Sequence, residues 1–197
     1  YDPEINDREL YYAHIYGLNA VRVYVHYLNW KEDKENFMAN LEDFLTRADK
    51  YGIKTELVFF DDCWDDYPDW EKETKDLAPV YGVHNSRWLE SPGDDIKALY
   101  NEDINVRDSL KAYVQDIVTK YKDDERILFW NIYNEPGNGE SGLMNQVTKQ
   151  LMNDARMWIK ETGTKHPVSS SGGYFLGDPF SDFITWHPYE ADYPTPY

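Results

Sequence analysis

Residues 127–137 read ILFWNIYNEPG, and the interpretation of this stretch decides the fold. The run ILFWNIY is short, apolar and rich in β-branched and aromatic residues. That is the pattern of a strand covered on both faces, which loses the strict alternation of a half-exposed one. Pro136 lacks the N–H that a ladder needs and ends the strand. Upstream, Leu110, Val114, Ile117, Val118 and Tyr121 lie on one helical stripe and predict a helix over 104–121. Downstream, Leu143, Val147, Leu151, Ala155, Trp158 and Ile159 do the same over 143–160.

Working outward, the alternation repeats. Leu41, Phe44, Leu45 and Ala48 predict a helix over about 35–51 that Gly52 stops, followed by the strand IKTELVFF at 53–60. Residues 7–16 read as a helix ended by Gly17, followed by the β-branched strand NAVRVYV at 19–25. Residues 166–170 and 182–187 supply two more strands. Helix then strand, repeated, is the mark of a parallel β/α architecture, because parallel strands need crossovers that cover the sheet. Five strands are expected, in one domain over residues 1–197. The long stretch 61–103 sits between a strand and its helix, where functional insertions belong. It carries Trp64, Trp70, His84, Asn85 and Trp88, and its run Asp61, Asp62, Asp65, Asp66, Asp69 reads as a solvated acidic loop rather than a cation site.

Composition narrows the function. The 197 residues hold 20 Lys plus Arg against 37 Asp plus Glu, a formal charge of −17 that repels phosphate backbones and anionic headgroups. Nucleic acid is therefore not expected as a partner. No apolar run approaches the length that spans a bilayer, so membrane insertion is not expected either. With 17 Tyr and 7 Trp the chain is far too aromatic for a disordered acidic segment. A single cysteine, Cys63, allows neither an intrachain disulfide nor a cysteine-based zinc cage. His14, His26, His84, His166 and His187 form no HxH pair or HExxH helix, so no metal is expected, and no other cofactor is called for. Tyr1 is not an initiating Met, and the expectation is that a signal segment has been removed or that the start lies upstream.

The chemistry is expected at Glu135. A carboxylate at the carboxyl end of a strand in a parallel barrel faces the active side, and apolar neighbours raise its pKa toward the range of a general acid. Arg22 on NAVRVYV, Asn134-Glu135-Pro136 after ILFWNIY and His187-Pro188-Tyr189 after DFITW resemble the motifs of the clan A (β/α)8 glycoside hydrolases. The likeness is to cellulase-like enzymes of glycoside hydrolase family 5 and the related family 2 catalytic barrels. FDDCW at 60–64 and GVHNSRW at 82–88 strengthen it.

The resemblance implies a TIM barrel of which about strands two to six are present, truncated at both ends. It implies a retaining hydrolase of β-linked glycans, secreted or periplasmic, that takes a polysaccharide or oligosaccharide substrate. Glu135 is similar to the general acid/base and Asn134 to the partner of the hydroxyl beside the reacting carbon. Arg22 resembles the arginine that supports the nucleophile, His187 and Tyr189 the sixth-strand pair of the same subsite, with His84 and Asn85 facing it from the long loop. The family's nucleophile is a second glutamate on strand seven, expected downstream of Tyr197, so residues 1–197 alone are expected to be inactive. Glu190 lies on the wrong strand for that part, and Asp61 and Asp62 read as substrate or loop contacts.

Trp30, Trp64 and Trp88 fall after strands, where an indole face packs on the C–H face of a sugar. Trp130 and Trp158 read as packing residues. Ser171-Gly172-Gly173 reads as a turn rather than a phosphate nest. A barrel that binds carbohydrate without cleaving it is the competing reading.

Overall fold

The computed structural model describes residues 1–63, 65–70, 80, 82–83, 88–138, 142–172, 180–183, 185 and 187. Helix α1 (Pro3–Ile15) is followed by strand β1 (Ala20–Tyr24), the short helix α2 (Tyr27–Glu32) and helix α3 (Lys34–Lys50). Then come β2 (Lys54–Asp61), α4 (Asp94–Leu99), α5 (Ile104–Tyr121), β3 (Ile127–Asn134), α6 (Gly142–Glu161) and β4 (Val168–Ser171). The four strands form one sheet in the order β1-β2-β3-β4, every pair parallel. The expected strand at 182–187 is represented among the described residues by one parallel bridge, Ser171 to Thr185.

Helix starts follow their caps. The Asp2 carboxylate accepts from the backbone N–H of Glu4 and Ile5, and Pro3 suits the first turn, so α1 begins ahead of the position that apolar spacing predicts. Asp33 and Asp103 cap α3 and α5 in the same way. Helices α2 and α4 have six residues each, too few to show a periodicity in sequence.

Leu45, Leu57, Phe59, Tyr113, Val114, Trp130 and Leu151 are fully enclosed between the sheet and α3, α5 and α6. The Phe59 ring meets that of Tyr113 edge-on at 5.7 Å, an arrangement that aligns the positive rim of one ring with the negative face of the other. Trp130 and Trp158 are core residues, as their positions predict. Trp30 is a correction: it lies within α2, only 8% exposed, 6.1 Å from the Tyr27 ring and 5.7 Å from that of Tyr113. It packs the core because the chain after β1 turns at once into a helix. The acidic run is a second correction, since Asp61 and Asp62 are each 1% exposed and held by hydrogen bonds. Among the described residues no helix is long and apolar enough to cross a membrane.

Candidate active site

The carboxyl ends of all four strands converge on one polar cluster. Parallel register sets Arg22 of β1 directly beside Glu56 of β2. The guanidinium uses all its directions: Nε donates to Glu56 Oε1 at 2.9 Å, one terminal nitrogen to the Tyr24 hydroxyl at 2.7 Å and the other to Asn134 Oδ1 at 3.0 Å. Asn131 of β3 donates to the same Glu56 oxygen at 2.6 Å and also to the Ser171 hydroxyl of β4. A charge-assisted network therefore links all four described strands.

Glu135 follows β3 in a left-handed conformation, φ 44°. A non-glycine residue held there costs of order 1–3 kcal/mol and persists only where its surroundings fix it. Here they do. Its N–H donates to the Ser171 carbonyl at 2.6 Å. Gly172, at φ 138°, lies so close that a Cβ would stand 3.0 Å from the Glu135 Cα. Gly137 donates its N–H to Asp62 Oδ2 at 2.7 Å, and a Cβ there would meet the Asn145 amide oxygen at 2.6 Å. The NEPG turn is thus clamped from both sides.

Both carboxylate oxygens of Glu135 are engaged. His187 Nδ1 stands 2.7 Å from Oε1, and the Cys63 thiol donates to Oε2 at 3.2 Å. Burial raises the Cys63 pKa, so this sulfur is a neutral donor at ordinary pH. Its lone pairs accept from the side-chain amides of Asn134 at 3.4 Å and Asn138 at 3.5 Å.

Asp61 completes the cluster. Its Oδ1 accepts from the Asn134 amide at 2.6 Å and its Oδ2 accepts from the Trp88 indole N–H. Burial pushes its pKa up to about 6, against the pull of the hydrogen bonds from Asn134 and Trp88. Trp88 is half-buried and meets the Tyr24 ring edge-on at 4.5 Å.

The structure therefore brings together Arg22, Trp88, Asn134, Glu135 and His187. His84, Asn85 and Tyr189 lie outside the described residues, as do Trp64, Trp186 and Glu190. Sequence reasoning missed Glu56 and Asn131, and it left Cys63 without a role. For Glu56 a signal existed: an arginine inside a strand requires a carboxylate, and Glu56 is the one acidic residue of the neighbouring strand segment 53–60. Among the described residues no group of three His, Cys, Asp or Glu side chains is arranged to hold a metal ion.

Comparison with known proteins bears on the fold and the family. Mannan endo-1,4-beta-mannosidase F of Aspergillus clavatus is 26% identical over 179 residues, covering 80% of this chain and 37% of that protein. The chain thus spans less than half the length of this curated relative. Among solved structures, the beta-1,4-D-mannanase of Cryptopygus antarcticus superposes with a TM-score of 0.60 at 14% identity, over 86% of this chain and 49% of that one. The endo-1,4-beta-mannanase of Rhizomucor miehei gives 0.57 at 18%, over 86% and 52%. Likeness at such identities carries the fold, a (β/α)8 barrel to which the four described strands belong. The model of the cellulase family matches residues 10–192, a span that holds the whole of the sheet and site described above, and the chain belongs to glycosyl hydrolase family 5.

Proposed function

We propose that this chain carries the acid/base half of a retaining β-glycanase active site, with Glu135 protonating the glycosidic oxygen of a β-linked glycan. One observation supports this reading above the others: Glu135 is held in a left-handed turn, with its two carboxylate oxygens against His187 and Cys63. A carboxyl fixed so closely at the strand ends suits proton delivery to a bound leaving group. Asn134 contacts the hydroxyl beside the reacting carbon. Arg22 and His187 line the same subsite, joined by His84, Asn85 and Tyr189, and Trp88 offers an indole to a sugar face. No cofactor enters the step.

Retention needs a second carboxylate about 5–5.5 Å from the first, which attacks the sugar carbon as the leaving oxygen takes its proton. We assign that part to a glutamate C-terminal to Tyr197. The Asp62 carboxylate is fully enclosed and spent on Lys97, Tyr133 and Gly137, which leaves it no access to substrate. The relatives' names make β-1,4-mannan the first substrate to try, and secretion or a periplasmic location follows from substrates of that size.

The test is release of reducing ends from β-1,4-mannan and β-1,4-glucan by the complete protein and by its Glu135→Gln variant. Cleavage abolished or greatly slowed by the substitution supports the reading. Glycan binding without cleavage by the unmutated protein identifies a carbohydrate-binding barrel instead.

A further inference from the structure

Asn134 has an amide whose two ends differ chemically and which fits its space equally well when flipped by 180°. In the site its carbonyl oxygen faces the Arg22 guanidinium at 3.0 Å, and its NH2 faces Asp61 Oδ1 at 2.6 Å. Flipped, it would set NH2 against a guanidinium and oxygen against a carboxylate, two repulsive contacts in a buried setting. Arg22 enforces one end of this choice and Asp61 the other. Asp61 is itself fixed by strand geometry, because it pairs in register with Asn134 and exchanges backbone hydrogen bonds with Ser91 at 2.8 and 3.1 Å. Its second oxygen, Oδ2, is taken by the indole N–H of Trp88. One carboxylate with two acceptor oxygens thus serves two donors on separate segments of chain.

We infer that Asp61 is a positioning residue for the glycosidase reaction, its bridge between the Asn134 amide and the Trp88 indole fixing which end of the amide meets the sugar hydroxyl and where the aromatic wall stands. The inference rests on the proposed function, in which Asn134 meets the hydroxyl beside the reacting carbon. Asp61 is only 1% exposed. It works through Asn134 and Trp88, and only as an anion, since a protonated carboxyl would turn an O–H toward one of the two donors. Its pKa of about 6 leaves it ionised at neutral pH.

Asp61→Asn is nearly isosteric and keeps one acceptor while placing an NH2 against either the Asn134 amide or the Trp88 indole. Leaving a buried polar group unmatched is worth roughly a tenfold to hundredfold loss. The experiment compares kcat/KM of the complete protein on an aryl β-1,4-linked disaccharide and on its counterpart lacking the 2-hydroxyl of the reacting unit. The wild type is expected to favour the hydroxylated substrate, and Asp61→Asn to collapse that preference by roughly tenfold or more while the 2-deoxy substrate loses less. A general structural injury would lower both equally. In the double variant Asp61→Asn, Trp88→Phe no indole N–H opposes the new NH2, so its oxygen is able to face Asn134. The preference is expected to return relative to Asp61→Asn, with Trp88→Phe alone as the reference. An active wild type whose preference is unchanged by Asp61→Asn, or a double variant no better than the single, overturns the positioning role. A wild type that cleaves neither substrate overturns the glycosidase reading and this role with it.

Discussion

Lys97 places its ammonium 2.7 Å from Oδ1 of Asp62, and neither side chain is exposed. The pair stands beneath the NEPG turn, because the other Asp62 oxygen accepts from the Gly137 N–H at 2.7 Å, while Oδ1 also accepts from the Tyr133 hydroxyl at 2.5 Å. Lys97 reaches Asp94 at 3.0 Å and Glu90 at 3.6 Å as well. Burial, partly offset by Lys97, pushes the Glu90 carboxyl up to about 8. A buried cation from α4 thereby holds the loop that presents Glu135.

Removing that cation leaves a buried carboxylate uncompensated. Lys97→Met is expected to destabilise the protein by about 3–5 kcal/mol, read from urea denaturation. Asp62→Asn in the same background is expected to restore part of the loss. A Lys97→Met protein as stable as wild type would show that the pair holds nothing in place.

Glu135→Gln removes the proposed proton donor and leaves shape unchanged. General acid help is worth roughly a hundredfold to ten-thousandfold, so glycosylation with a poor leaving group should slow by that order. An aryl glycoside whose leaving group needs little protonation should lose much less. Pre-steady-state rates on the two substrates decide it, and equal losses would count against the assignment.

Trp88→Ala takes away an aromatic face that is half-buried and braced edge-on by Tyr24. Its largest effect is expected on glycan affinity, weakened roughly tenfold or more as a ring contact is lost, with a modest fall in thermal stability because the buried Asp61 Oδ2 loses its indole donor. Calorimetric titration of an oligosaccharide together with a melting curve separates the two. A steep fall in melting temperature at unchanged affinity would make Trp88 a core residue.

His26 gives a pH dependence of definite sign. Its ring is neutral: Nδ1 accepts from the Leu28 N–H at 3.2 Å, and Nε2 lies 2.8 Å from the Glu90 carbonyl. Burial pushes its pKa from 6.5 down to about 4. Between those values the unfolded chain binds a proton that the folded one refuses. The stability is therefore full above about pH 6.5, declines as pH falls toward 4 and levels below it. The loss is worth about 3 kcal/mol. The difference in unfolding free energy between wild type and His26→Gln should follow that curve, while the opposite trends of Asp61 and Glu90 cancel. A difference independent of pH would mean that His26 is solvated.

Much of the fold was legible in sequence, because apolar stripes on helices and unbroken apolar runs in strands are local consequences of a covered parallel sheet. The helices at 104–121 and 143–160 and the strands around 53–60 and 127–133 coincide closely with α5, α6, β2 and β3. The position of Glu135 at a strand end was equally local. What the sequence by itself determined was which segments pair with which layer and which end of the sheet carries Glu135. Only the tertiary structure decided the company each polar side chain keeps. Asp61 and Asp62 look alike in a run of aspartates, yet one faces Asn134 and Trp88 while the other faces Lys97, 35 positions along the chain. Trp30 and Trp88 both follow strands, and one is sealed in the core. Burial and hydrogen-bond partners arise from contacts between distant segments, and no local pattern of residue types encodes which of two neighbouring carboxylates a buried ammonium will meet.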